Sequence, residues 1–484
     1  MLNLRTSGGP ALAGAIAFRE SGFATGGATL AARPKAGIFT GAALCLVLAV
    51  TMWLFARAGQ AETVLIIGPG NGFRVSNADR ASEAPRLEFI GAVNNPSNPF
   101  DDVRWAVVWA DERLINGLPG RAVFYRAINP FNWGQFPETW VSDALRLSGE
   151  NAGEPDLAWN GSRVGVAYNE EDALGYSYLL FSSLFSSGGT DDLDVIPGGA
   201  QANRGVDYGR PRLDNDGSRF GIFWEGDSKS IINAEETFYV EVNADGSQSE
   251  NFQIASGGAP VGQVSGGDML TLPGSDYAVV WPHFERNNPS NLDMELYFAR
   301  LDDNNGVEVT RRLTNTAEHS LHPQIAWDGG GRIAVVWDEF APDSDFIDVF
   351  FMLIDTSGNQ LRDRFNQPVF LDLSHTTFDS LYPTVAWNGE FWLVVWQEGQ
   401  GGLENLMFAI VEPDGVLRQG PDLLMDPQPP QTGLQRPHLV WDGKLSDAAG
   451  AWTIGLVFQA RLSDSNSEIY FSEIWPDRTA WMLR

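Results

Sequence analysis

The sequence predicts an all-β fold, a seven-bladed β-propeller, and three observations carry that expectation. Seven hydrophobic segments end on an aromatic residue at near-constant spacing, at Trp109, Tyr168, Trp224, Trp281, Trp337, Trp396 and Phe458. Asp-Gly or Asn-Gly turns recur at one place in the unit, and about four short strand-like runs fill each period. A fixed period of strand units marks a repeat array, and four antiparallel strands per unit describe a propeller blade. Two stacked β-sandwiches would account for the strands but not for the even period.

The first strand of a unit opens on a proline, as in Pro155-Asp-Leu-Ala-Trp159, Pro323-Gln-Ile-Ala-Trp327 and Pro383-Thr-Val-Ala-Trp387. Copies from Pro211 and Pro437 repeat the theme, the last with an insertion across 444–450. The turn dipeptide follows and supplies the positive φ angles that tight hairpins require. The second strand then runs to the aromatic anchor. A third strand follows an acidic, variable loop, as in Glu295-Leu-Tyr-Phe298, Asp348-Val-Phe-Phe351 and Glu468-Ile-Tyr-Phe471. Another turn, at Asp245-Gly246, Ser357-Gly358 or Asp414-Gly415, leads to the fourth. The anchors, with Trp327, Trp387 and Trp441, are expected to pack between neighbouring blades, because no single blade has a core of its own.

On this reading residues 84–484 form the propeller. Residues 1–35 are Gly/Ala-rich without periodicity and read as a disordered tail. The segment 36–57 is apolar enough for a transmembrane or signal-anchor helix, and 58–83 is a linker. Arg33 and Lys35 before the apolar run favour a cytoplasmic N-terminus and an exported propeller, at the cell envelope, periplasmic or extracellular. Ala56-Arg57-Ala58 and Gly59-Gln60-Ala61 resemble signal-peptidase sites, so a cleaved and an anchored form both stay open. Cys45, the single cysteine, lies in the apolar run and leaves the propeller without a disulfide.

The chain carries 32 basic and 62 acidic side chains, a net charge of −30. Such a surface repels nucleic acid and anionic lipid. No nucleic-acid partner is expected, and membrane contact only through the N-terminal segment. A protein or glycan partner at the envelope is expected instead.

In a propeller the residue before each repeat proline sits at the mouth of the central channel. Here these are Glu154, Arg210, His322, Tyr382 and Arg436, with Gly267 at the corresponding place in the fourth blade. A structural position held by a different polar residue in each blade is the pattern of an asymmetric ligand-binding ring. The alternative is a set of solvated loop residues held extended by the following proline.

The acidic loops suggest a hard cation, with calcium the possible cofactor and Asp343, Asp345 and Asp348 the best local cluster. That cluster lacks the turn glycine and bidentate acid of a calcium loop. Acids after the Trp anchors are expected to accept backbone N–H bonds. His319 and His322 form a weak metal pair. No nucleophile elbow, phosphate-binding loop, zinc-protease helix or dinucleotide fingerprint is present, and no catalytic residue is assigned.

Trp109-Ala-Asp111-Glu-Arg113 and the strands at 295–298 and 468–471 resemble the WD40-like repeats of exported bacterial TolB-type propellers. The resemblance covers about residues 84–484. It implies the fold and an envelope or extracellular site, and it carries over no catalytic residue. The expected function is a binding or scaffolding module at the cell envelope. The alternatives are a carbohydrate-binding or carbohydrate-active propeller using the channel mouth, and a calcium-dependent adhesin.

Overall fold

The computed structural model describes residues 65–78, 80–91, 105–115, 118–129, 136–142, 151–171, 177–186, 190–195, 209–227, 235–243, 247, 252–255, 266–284, 293–302, 306–341, 345–399, 401–443 and 452–476. Residues 67–475 form one compact unit. The N-terminal tail and the apolar segment 36–57 lie outside the described residues, among which no helix is long and apolar enough to cross a membrane.

Seven four-stranded antiparallel blades are present, as the repeat predicts. Blade I is β2 (Ser82–Phe89), β3 (Trp105–Ile115), β4 (Leu118–Ile128) and β5 (Thr139–Trp140). Blade II is β6 (Asn151–Trp159), β7 (Val164–Glu171), β8 (Ser177–Leu184) and β9 (Thr190–Val195). Blade III is β10 (Gly209–Asn215), β11 (Arg219–Asp227), β12 (Glu235–Asn243) and β13 (Phe252–Ala255). Blade IV is β14 (Asp268–Leu272), β15 (Asp276–Phe284), β16 (Met294–Leu301) and β17 (Val307–Arg312). Blade V is β18 (Leu321–Trp327), β19 (Ile333–Phe340), β20 (Ile347–Ile354) and β21 (Phe370–Asp372). Blade VI is β22 (Ser380–Trp387), β23 (Trp392–Glu398), β24 (Asn405–Val411) and β25 (Leu417–Met425).

Blade VII departs from the expected layout. Its inner strands β26 (Gly433–Trp441), β27 (Ile454–Ser463) and β28 (Asn466–Pro476) come from the C-terminal end, but its outer strand is β1 (Leu65–Arg74). The stretch 58–83, read as linker, therefore contains a strand, and the propeller starts earlier than residue 84. The physical gain is ring closure, since hydrogen bonds between the first and last strands cover the edge of β28. Glu468, fully buried at the start of β28, holds this seam by binding Arg74, the Ser76 hydroxyl and the Ala78 N–H.

The core lies between blades, as expected for an array. All seven anchors are at most 2% exposed. In β19 the side chains alternate: Ile333, Val335 and Trp337 pack toward blade IV, while Ala334 and Val336 pack toward blade VI. Each large apolar side chain so buried contributes about 1.5–3 kcal/mol. Close approach requires glycine at Gly221, where a Cβ would lie 2.7 Å from the Tyr277 ring of the next blade. Trp327 and Trp387 are half-buried and pack against the interblade clusters. The predicted turns form at Gly161, Gly217, Gly329, Gly389 and Gly443, all at positive φ.

The acids after the anchors serve two purposes. Asp111, Glu339 and Glu398, each two residues past a Trp, accept its indole N–H at 2.9–3.4 Å and also the hydroxyl of Ser82, Ser320 or Ser380. A buried indole N–H requires such a partner. Directly after the anchor, Asp338 and Gln397 instead accept the backbone N–H of Tyr382 and Arg436 in the following blade, both at 2.9 Å.

Candidate functional site

The five residues predicted at the channel mouth converge. Glu154, Arg210, His322, Tyr382 and Arg436 all line one cavity that opens to solvent. Their backbone is not extended, as a following proline suggested. Each takes a positive φ, from 46° at Glu154 to 52° at Tyr382. The cause is a β-bulge at the same point of the inner strand, visible as a register shift in blades II, III, V, VI and VII. Two residues there oppose one on the neighbouring strand, which re-aims the side chain. The proline meanwhile disfavours the right-handed helical region.

Two ring positions were missed or misplaced in the sequence reading. Blade I contributes Ala84, at φ 50° before Pro85. Blade IV contributes Gly266 rather than Gly267: Gly266 lines the cavity at φ 73°, and Glu225 accepts its N–H just as Asp338 accepts that of Tyr382. Gly266 also makes room, because a Cβ there would lie 2.8 Å from Arg210 and 3.1 Å from Arg212.

Behind the ring, the residue after each proline forms a second tier. Arg86, Arg212 and Gln324 from this tier reach the cavity wall. Others cap the inner strand of the next blade, whose backbone groups face the channel and need partners. Asp156 accepts the Leu213 N–H, Asp268 that of Ile325, Thr384 that of Leu439, and His438 that of Leu87 across the seam.

The electrostatics of the mouth oppose those of the whole chain. Arg86, Arg210, Arg212 and Arg436 converge on it, with Glu154 the single acid on its wall among the described residues. Burial alone would raise the Glu154 pKa, but Arg210, Arg436, Arg212 and Arg121 outweigh it and hold the carboxyl below its ordinary range. Arg212 is 6% exposed; its Nη1 donates to the Pro211 carbonyl at 2.9 Å, and its Nε has no hydrogen-bond partner among the described residues. Burial lowers the Arg212 pKa, with Arg86 adding to the effect.

One wall is aromatic. The His322 and Tyr382 rings lie 4.3 Å apart, and the Arg436 guanidinium sits 5.2 Å from the centre of Tyr382. Asp338 fixes this wall, with Oδ2 at 2.9 Å from both His322 Nδ1 and the Tyr382 N–H. His322 thus directs its Nδ1 at Asp338, whereas His319 Nδ1 accepts the Met294 N–H.

Deeper in the channel, burial pushes the Asp268 and Glu225 carboxyls up to about 7 and Asp214 up to about 6. Asp268 and Glu225 accept the backbone N–H groups of Ile325 and Gly266.

Of the predicted loop cluster at 343–348, only part falls within the described residues. Asp343 lies outside the described residues and Asp345 is exposed, whereas Asp348 is fully buried at the start of β20. Its neighbours are Asp372 and His375, neither of which the sequence reading singled out.

No protein-family model matches the chain, and no curated protein matches it in sequence. Among solved structures the chain is similar to the GH93 α-L-arabinofuranosidase of Fusarium graminearum in complex with arabinobiose, at 12% identity over 66% of this chain and 92% of that one, with TM-score 0.43. It is also similar to a protein of unknown function from Dyadobacter fermentans, at 10% identity over 67% and 94%, TM-score 0.43. A third is a thermostable family-43 glycoside hydrolase, at 10% identity over 55% and 89%, TM-score 0.35. No residue role is carried over from any of them.

Proposed function

We propose that this propeller is a carbohydrate-binding protein whose channel mouth takes a small sugar bearing a carboxylate. The single observation behind the reading is the convergence of Arg86, Arg210, Arg212 and Arg436 on one cavity wall, where Glu154 is the single acid among the described residues. Such a cluster of guanidinium groups calls for an anionic partner. A carboxylate supplies two acceptor oxygens matched to a guanidinium fork. The half-buried Tyr382 and His322 rings offer a stacking face for the sugar ring, and Glu154 offers an acceptor for its hydroxyls. This is the carbohydrate alternative of the sequence reading, preferred to pure scaffolding because it gives the converging side chains a ligand.

The likeness to TolB-type propellers and the apolar segment 36–57 support an exported form, which would meet such sugars outside the cell. Thermal melts of the full chain against neutral and acidic sugars test the reading. A ligand at about 100 times its dissociation constant stabilises by ~2.7 kcal/mol. The expected result is a saturable shift with an acidic sugar, lost in the Arg210→Ala/Arg436→Ala double variant. A shift equal in wild type and double variant would contradict the site.

A further inference from the structure

Blades IV, V and VII share one construction at the end of the fourth strand. The backbone N–H of Leu313, Leu373 and Val75 donates to the carbonyl of Leu296, Val349 and Ile469, at 2.7, 2.8 and 2.7 Å. In return the N–H of Leu296, Val349 and Ile469 donates to the hydroxyl of Thr314, Ser374 and Ser76, at 2.8, 2.9 and 2.8 Å. The three segments are thus superimposable by hydrogen bonding. Each also buries one acid at the start of its third strand, Glu295, Asp348 and Glu468, all at most 1% exposed.

A buried carboxylate either takes up a proton or is paired with a compensating cation. In blades IV and VII the residue just before the shared N–H is an arginine that supplies it: Arg312 lies 2.8 Å from Glu295, and Arg74 pairs with Glu468. In blade V the corresponding residue is Asp372, a second acid. Asp348 keeps bonds to Oδ1 from the Ser374 hydroxyl at 2.9 Å and the Thr376 N–H at 3.4 Å. Its Oδ2, inside a fully buried residue, has no hydrogen-bond partner among the described residues. Asp372 and His375 each place a ligand atom within 4.8 Å of an Asp348 carboxylate oxygen and of one another, and His375 Nδ1 lies 3.2 Å from Asp372 Oδ2.

We propose that blade V holds a divalent transition-metal ion where blades IV and VII hold an arginine, with Asp348, Asp372 and His375 as its ligands. One imidazole nitrogen with two carboxylate oxygens suits Zn²⁺ or Mn²⁺, whereas calcium prefers an all-oxygen shell. The Ser374 hydroxyl orients Asp348, as hydrogen-bonded outer groups do at metal sites. The His375 ring is solvent-accessible and completes the site from outside, leaving the other positions to water. The site lies apart from the channel mouth and stands independently of the proposed function.

The test is calorimetric titration of the tag-free, chelator-treated full chain with Zn²⁺, Mn²⁺ and Ca²⁺. Saturable binding of one Zn²⁺ or Mn²⁺ per chain is expected, weakened at least tenfold by His375→Ala. Asp372→Arg, which installs the arginine of the other two blades, should abolish binding and melt no lower than metal-free wild type. Absence of saturable Zn²⁺ and Mn²⁺ binding up to millimolar concentration would overturn the proposal. So would binding undiminished in Asp372→Arg, or calcium binding indifferent to His375→Ala.

Discussion

Arg436 Nη1 lies 4.0 Å from Glu154 Oε1, joining blades VII and II across the ring position of blade I, where Ala84 presents only a methyl group. The contact is long and partly solvated, with the two side chains 32% and 25% exposed. Glu154 therefore offsets part of the positive charge of the mouth without sealing it, and a ligand carboxylate competes with it for the same arginines.

That competition predicts opposite effects at the two residues. Glu154→Gln keeps a hydroxyl acceptor but removes the competing charge, so it should tighten an acidic sugar several-fold. Arg436→Ala should weaken the same sugar at least tenfold. Calorimetric titration of both variants, repeated at two salt concentrations, measures the difference.

Strain at the ring gives a second expectation. Non-glycine residues at positive φ cost about 1–3 kcal/mol each, and Ala84 carries this conformation with no side chain that reaches a ligand. Ala84→Gly should therefore leave stability unchanged or raise it by about 1 kcal/mol. At an ordinary strand position such as Ala106 the same change lowers stability by ~0.5–1 kcal/mol. Urea unfolding of the two variants gives the sign of each.

The channel carboxyls make stability depend on pH. Asp268 and Glu225, at about 7, and Asp214, at about 6, bind protons more tightly when folded than when unfolded. Their contribution is full below the ordinary carboxyl range near pH 4 and is lost as pH rises through 6 to 7. Asp268→Asn still offers an acceptor to the Ile325 N–H but does not titrate. It should be more stable than wild type at pH 7–8, with the advantage shrinking toward pH 4, as read from melting curves across that range.

The seam between β1 and β28 supplies a further test. Glu468→Ala leaves the Ser76 hydroxyl and Ala78 N–H without their buried acceptor and Arg74 without its counter-charge. A loss of about 3 kcal/mol is expected. Deleting residues 1–78 should go further, baring the β28 edge and promoting self-association by strand pairing. Size-exclusion chromatography and urea unfolding register the two effects separately.

The aromatic anchors and turn glycines were legible in the sequence because burial and positive φ leave few residue choices. Five of the mouth residues were legible for a related reason, since a proline marks each bulge. Gly266 was displaced by one because blade IV has Gly267 where the other blades have proline, and Ala84 offers no polar side chain to notice. Arg86 and Arg212 were missed, though a signal existed: the residue after the proline is polar in all six blades that have it, as Arg86, Asp156, Arg212, Gln324, Thr384 and His438 show. The strand from 65 to 74 was hidden because its partner lies at the far end of the chain. Asp372 and His375 were invisible for a different reason: their meaning comes from strand register, where an acid occupies the place of Arg312 and Arg74.

The most direct test compares two sugars that differ only in one group, glucose and glucuronate, as monomers and short oligomers, titrated into the full chain. The proposed mouth predicts saturable binding of the acidic member, at least tenfold tighter than the neutral one and lost in Arg210→Ala/Arg436→Ala. Equal affinity for the two sugars, or no binding of the acidic one at millimolar concentration, would contradict it.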